Sequence, residues 1–323
     1  MAALAVRAAR PKERPQLPAW LNGVIGAADP QTFLSESERL LAVDPRAAAG
    51  LLGAWDGTEL VAAGWAVPLP GAVSLLWPPL PQTHRLDQPS SAPVLDLTPL
   101  WHALRQAAQS QGSKLAQVLL PANDNGAGLI LQSQGYAYMT LMRYLRRDLS
   151  RVPRAQSSSL EWVEASGCLA EFGATLVHTY EGSLDCPELE GLRSQEEVLS
   201  GYAGEHQAAV PHWWLLRMAG KPAGVIMANS DRQVPLWELS YLGLVPGSRG
   251  QGLGRMAMVQ LLERIQTAGG LLLTTAVDSR NSPACGLYAR LGMETFDERQ
   301  VWWTPLGQPG GPASPVESAG AGS

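Results

Sequence analysis

Apolar positions along the chain gather into short runs that turn at glycines, broken by one clear helical stripe. Residues 54–67, AWDGTELVAAGWAV, and 217–229, RMAGKPAGVIMAN, are each two apolar runs turning at a glycine, and each predicts a β-hairpin. PLWELSYLGLV, 235–245, is rich in aromatic and leucine residues and predicts a single strand. After the glycine-rich PGSRGQGLG, Met258, Leu261, Leu262 and Ile265 stand at i, i+3, i+4 and i+7, so a helix there turns one stripe to a core. Gly269 and Gly270 end it, and LLLTTAV, 271–277, predicts a second buried strand. Ser282 and Pro283 then read as the N-cap and first residue of a short helix that Gly292 stops.

The pattern repeats at about half the chain length. PANDNGAGLILQSQGYAYMTLMRYLRRDL, 121–149, matches VDSRNSPACGLYARLGMETFDERQVWWTPL, 277–306: an asparagine turn, a short helix, a glycine stop and strand material. The stretch from Gly57 to Gly135 is close in length to that from Gly220 to Gly292. Both facts predict a duplicated α/β unit, as do 323 residues against a usual domain of about 150. The expected domains are 1–150 and 160–306. RVPRAQSSS, 151–159, reads as a linker and the apolar-poor 307–323 as a disordered tail.

Composition narrows the partners. A net charge of −5 without a Lys/Arg cluster argues against nucleic acid, and the one basic run, RYLRRD at 143–148, is expected at a domain edge. No apolar run reaches the ~20 residues a membrane helix needs, and the N-terminal residues show no secretory pattern, so a soluble cytoplasmic protein is expected. Cys168, Cys186 and Cys285 lie far apart, and neither a metal site nor a disulfide framework is expected.

A strand that feeds a glycine loop and a helix N-terminus leaves backbone N–H groups unpaired and pointed one way, which suits a phosphate. Arg249 and Arg255 flank this loop and would add charge where a diphosphate lies. GLGRMA, 252–257, also fits a loose GxGxxA dinucleotide pattern, with Asp278 near where a ribose-binding acid belongs. Against that reading, only 45 residues follow Asp278, too few for the rest of such a sheet. A Walker A loop is excluded because no GK[ST] follows the glycines.

Arg249-Gly250-Gln251-Gly252-Leu253-Gly254 resembles the [RQ]xxGxG acetyl-CoA loop of the GNAT superfamily of N-acetyltransferases, and it stands after a strand ending in Leu244-Val245-Pro246, as in that family. NSPACGLYARLGM, 281–293, fits the second signature, NxxAxxLYxxxGF, with Met293 for the last aromatic. The first half lacks both features: no glycine stands between Leu80 and Trp101, and Leu131 takes the place of Tyr288. The resemblance therefore implies two tandem GNAT-like domains, each a mixed, mostly antiparallel sheet flanked by helices, with a degenerate first copy and catalysis in the second.

What the resemblance further implies is direct attack of a primary amine on the thioester of acetyl-CoA, with no metal. Gly250, Gln251, Gly252, Leu253, Gly254, Arg249, Arg255 and Asn281 would hold the cosubstrate. Backbone N–H groups near Leu244 and Val245 would hold its pantetheine arm and polarise the carbonyl. Glu238, set in the strand among Leu236, Trp237 and Leu239, is the expected base, its pKa raised by burial. Tyr288 is the expected acid for the departing thiolate. The segment 178–202 would cover the acceptor, with Glu181, Asp185, Glu188 and Glu190 either drawing a cationic amine or simply solvated. Trp213 and Trp214 are expected to fill the core. A non-catalytic acyl-CoA-binding protein would keep the loop but need neither Glu238 nor Tyr288, and the retention of both favours the enzyme.

Overall fold

The computed structural model describes residues 4–25, 30–80, 95–154, 159–203 and 209–307. The expected tail beyond 307, the middle of the expected linker and most of the glycine-free stretch between Leu80 and Trp101 lie outside the described residues. The chain divides into two compact units, residues 1–138 with 302–323, and residues 139–301.

In the first unit β1 (Ala5–Ala8) is followed by helices α1 (Gln16–Ile25), α2 (Pro30–Val43) and α3 (Pro45–Gly50). The hairpin β2 (Leu51–Asp56) and β3 (Glu59–Leu69) turns at Gly57, whose φ of +59° a side chain resists, as the glycine signal predicts. β4 (Val73–Trp77), α4 (Thr98–Ser110), β5 (Leu115–Pro121) and α5 (Asn125–Ser133) follow. β1 to β4 pair antiparallel in sequence, and β5 adds parallel to β4. Leu17, Trp65, Leu100, Leu104 and Leu131 are fully buried in its core.

The second unit repeats this plan. β7 (Leu160–Glu164), α6 (Leu169–His178) and α7 (Gln195–Tyr202) precede the hairpin β8 (Ala209–Met218) and β9 (Lys221–Asp231). β10 (Leu236–Leu244), α8 (Leu253–Thr267), β11 (Leu272–Asp278) and α9 (Ser282–Arg290) complete it. β7 to β10 are antiparallel and β11 is parallel to β10. Met258, Leu261, Leu262 and Ile265 of α8 are all fully buried, which bears out the helical stripe. Each unit is thus a mixed, mostly antiparallel sheet flanked by helices.

The last strand of each sequence half pairs differently from its order. β6 (Ala137–Asp148) follows α5 in the chain, yet Met142 to Asp148 pair antiparallel with Asp278 to Leu272 of β11, and residues 139–148 belong to the second unit. The final strand, β12 (Glu294–Pro305), ends in the first unit, where the buried Trp302 and Leu306 join the core. The basic run 143–148 is ladder-paired strand between β11 and β12.

Two cores flank the second sheet. Ile226, Leu239, Val277 and Tyr288 pack with α8 on one face, while Val225, Met227 and Leu215 pack with Phe172 and Leu176 of α6 on the other. Trp213 stacks on Phe172 and Trp214 packs edge-on to Trp162, so both tryptophans serve packing as expected. All three cysteines are free. Among the described residues no helix is long and apolar enough to cross a membrane.

Candidate active site

The two parallel strands of the second unit part company. β10 and β11 pair only from Leu236↔Leu272 to Leu239↔Thr275. Beyond that point β10 stays on β9 as far as Leu244↔Gly224, while β11 stays on β6 as far as Asp278↔Met142. A register shift between Leu239 and Tyr241 makes Ser240 the extra residue of a bulge, where a strand bends and its twist increases. The split opens a cleft of about 180 Å³, lined on one side by Tyr241 to Leu244 and on the other by Thr275 to Val277. That volume is below the ~300 Å³ of a drug-sized pocket, so it suits a slim chain.

Backbone direction along β10 follows from its ladder. The Val245 N–H donates to Ala223 O at 3.0 Å, which corrects the expectation that this amide serves a ligand. Because antiparallel partners alternate, Leu242 and Leu244 turn their N–H groups to the opposite, cleft-facing edge. Of this stretch, the amides of Leu242 and Leu244, and not that of Val245, are the ones left facing the cleft.

At the end of β10 the glycine loop turns into α8. Gly250 and Gly252 have φ of +73° and +78°, and a Cβ on either would meet open space. Gly252 is the N-cap of α8, and the first helical N–H donor is that of Met256, to Gly252 O. Among the described residues, no N–H from Gly250 to Arg255 donates to a carbonyl outside the helix. This is a concave row of donors at the positive end of a helix dipole, and it fits a diphosphate. Arg255 is exposed beside it, whereas Leu253 is buried and contributes backbone alone. The Gln251 side chain donates to Gly247 O at 2.7 Å and ties the loop to itself. A Cβ on Gly254 would meet Leu287 and Leu244 at ordinary contact distances of 3.5 and 3.8 Å.

Arg249 behaves otherwise than expected. Its Nε donates to Leu244 O (3.0 Å), its Nη1 to Gly182 O (3.1 Å) and its Nη2 to Thr179 O (2.9 Å), so the guanidinium is spent on three carbonyls of its own chain. Asn281, read one residue too late as a Ser282 cap, is itself the N-cap of α9, its Oδ1 accepting from Ala284 N at 3.2 Å. It lines the cleft with Tyr288. Tyr288 is buried, and burial pushes its phenol well above the ordinary tyrosine value despite a hydrogen bond with Thr275. Its proton is therefore in place at neutral pH.

Glu238 is exposed, which removes burial as the argument for a raised pKa. Its position is informative. It stands opposite Asn229 on β9 and Thr274 on β11, and side chains in register share a face. Asn229 lies two residues from Met227, which packs on α6, and its Nδ2 donates to Tyr202 O of α7 at 2.8 Å. Glu238 thus lies on the α6–α7 face, one residue from the last paired position, while Tyr288 lies on the α8–α9 face. Tyr144 of β6 is a residue that sequence reasoning missed. Burial chiefly raises its phenol, and its pairing with Ala276, two residues from the Thr274 that stands opposite Glu238, puts it on the face of Glu238. No local pattern announces it, because its neighbours come from the far end of the chain.

Glu188 pairs with Arg280 at 2.6 Å, and Glu181 lies 3.7 Å from His178. Asp185 accepts from Asp278 N at 3.0 Å; desolvation, then the Asp278 charge, raises its pKa. The Asp278 carboxylate is fully buried and accepts from Thr140, Arg280 and Cys186 N. With those donors it is occupied by the fold and has no lone pair directed to a ribose, which removes the support for a dinucleotide.

Residues 177–293 match the acetyltransferase (GNAT) family. The chain carries a GNAT acetyltransferase domain. No curated protein matched in a sequence comparison. Among solved structures, a GCN5-related N-acetyltransferase from Sphaerobacter thermophilus is similar over 95% of this chain and 96% of its own, at 13% identity and a TM-score of 0.60. A tandem GNAT protein from the clavulanic acid biosynthesis pathway is similar over 94% and 99%, at 18% identity and a TM-score of 0.53. A GCN5-related glucosamine N-acetyltransferase region of a fungal multi-domain β-N-acetylglucosaminidase reaches a TM-score of 0.61 at 11% identity, over 94% of this chain and 38% of that one. At such identities the likeness concerns the fold, and it extends through both units of this chain. The family's reaction is acyl transfer from acyl-CoA.

Proposed function

We propose that the second unit is an N-acetyltransferase, transferring the acetyl group of acetyl-CoA to a primary amine by direct attack. The observation that carries this reading is the parting of β10 and β11 after Leu239 and Thr275, which opens a passage between the two faces of the sheet. The thiol arm fits on the α8–α9 side, where the donors of Gly250 to Arg255 suit the diphosphate and Asn281 lines the way in. The amine approaches from the α6–α7 side, where Glu238 stands.

An alkylammonium with a pKa near 10 must lose a proton before it attacks. Glu238 takes that proton, directly or through water, and the amine nitrogen then bonds to the thioester carbon. Cleft-facing N–H groups of Leu242 and Leu244 donate to the carbonyl oxygen as it gains negative charge. When the C–S bond breaks, the Tyr288 phenol gives its proton to the thiolate, and burial keeps that proton available. No step calls for a metal.

The test separates the two proton transfers. Glu238→Gln keeps the shape and removes the acceptor, so turnover falls by roughly 10²-fold with acetyl-CoA affinity retained, and the defect shrinks as rising pH supplies free amine. Tyr288→Phe lowers turnover by about 10- to 10²-fold, and high pH does not restore it. Wild-type rates in both variants across the pH range refute these roles.

A further inference from the structure

The segment between α6 and α7 lines the cleft through Thr179, Gly182, Ser183, Leu184 and Asp185. It is strapped at two points, one on each of the strands that part. From the β10 side, Arg249 of the glycine loop reaches Thr179 O and Gly182 O while its Nε stays on Leu244 O, the carbonyl that ends β10. From the β11 side, Asp278 accepts from Cys186 N at 3.2 Å and donates its own N–H to Asp185, and Arg280 bridges Asp278 to Glu188. A guanidinium is a planar fork whose donors point in fixed directions. Three carbonyls from two segments converge on this fork, and Gly182, at φ +62°, is placed where its carbonyl meets Nη1.

We propose that Arg249 is a positioning residue for the acceptor and not a phosphate ligand: it fixes residues 179–185 across the mouth of the cleft, so that the motif that receives the cosubstrate also shapes the site for the amine. The proposal rests on the reading of this cleft as an acetyl-transfer site. The second strap is independent of Arg249, so losing the guanidinium frees one end of the cover and leaves the other anchored. Lysine, with one nitrogen, cannot span three carbonyls and does not replace it.

The experiment uses the full chain with Arg249→Gln and the milder Arg249→Lys. Hydrogen exchange without ligand, calorimetric acetyl-CoA affinity, and acceptor KM and kcat are measured for each. The expected result is roughly tenfold faster exchange at 179–185 with 186–190 still protected, acetyl-CoA Kd within about twofold of wild type, and acceptor KM raised about tenfold or more with kcat less affected. A tenfold or greater loss of acetyl-CoA affinity with protection of 179–185 unchanged overturns the proposal, because the guanidinium would then serve the phosphates. If wild type binds acetyl-CoA and acetylates no amine, the transfer reading fails; exchange and affinity then decide the positioning role by themselves. In that case protection lost with affinity kept supports it, and affinity lost with protection kept overturns it.

Discussion

Gly252 and Gly57 allow backbone strain to be separated from loss of ligand. Both have left-handed backbone, φ +78° and +59°, and a Cβ built on either meets nothing within 4 Å. Alanine at either position therefore costs the left-handed penalty for an L side chain, about 1–2 kcal/mol, with no packing clash added. Denaturant unfolding should show that loss in the unit that carries each substitution. Only Gly252 caps α8 and borders the row of free amides. A methyl there crowds the diphosphate and displaces at least one hydrogen bond to a charged group, worth about 1.5–3 kcal/mol, so acetyl-CoA affinity falls by roughly 10- to 10²-fold. Gly57→Ala, at the hairpin of the first unit, keeps wild-type affinity by calorimetry. Equal losses of affinity in the two variants, or none in Gly252→Ala, refute the placement of the diphosphate.

Two further outcomes follow from the same structure. Acetyl-CoA binds once per chain by calorimetry, because the first unit has Leu131, fully buried, where the second has Tyr288, and two equivalent sites contradict this. Burial pushes the Tyr136 phenol up to about 12; the unfolded chain gives up that proton near pH 10 while the folded chain keeps it. The Tyr136 contribution to stability is thus complete below about pH 10 and falls by roughly 2–3 kcal/mol as the pH rises to about 12. Tyr136→Phe should flatten that fall in denaturant midpoints measured between about pH 9 and pH 12, and an unchanged slope counts against the shift.

Local patterns carried much of the fold. The stripe Met258, Leu261, Leu262 and Ile265 is buried throughout, and the hairpin glycine Gly57 has the positive φ its turn requires. Gly250 and Gly252 have the positive φ that a side chain resists. What stayed hidden depends on partners distant in sequence. β6 follows the first half in order but finds its ladder on β11, some 130 residues on, and that pairing puts Tyr144 on the same sheet face as Glu238. Arg249 has the right identity for the motif, yet only the placement of Thr179 and Gly182 shows where its donors go. Val245 stands beside Leu244 in the sequence, and alternation along the ladder assigns their amides to opposite edges. Glu238 lies between apolar residues, and strand alternation turns it away from the α8 core to the α6–α7 face, where it is exposed.

The central claim is that this cleft moves an acetyl group from sulfur to nitrogen. It is tested most directly by following free thiol from acetyl-CoA with the full chain across a panel of primary amines, with mass spectrometry of the products. The account predicts thiol release that depends on at least one amine, matched mole for mole by an N-acetyl product, and abolished in Gly252→Val. Tight acetyl-CoA binding with no amine-dependent thiol release across the panel, or release that persists in Gly252→Val, would contradict it.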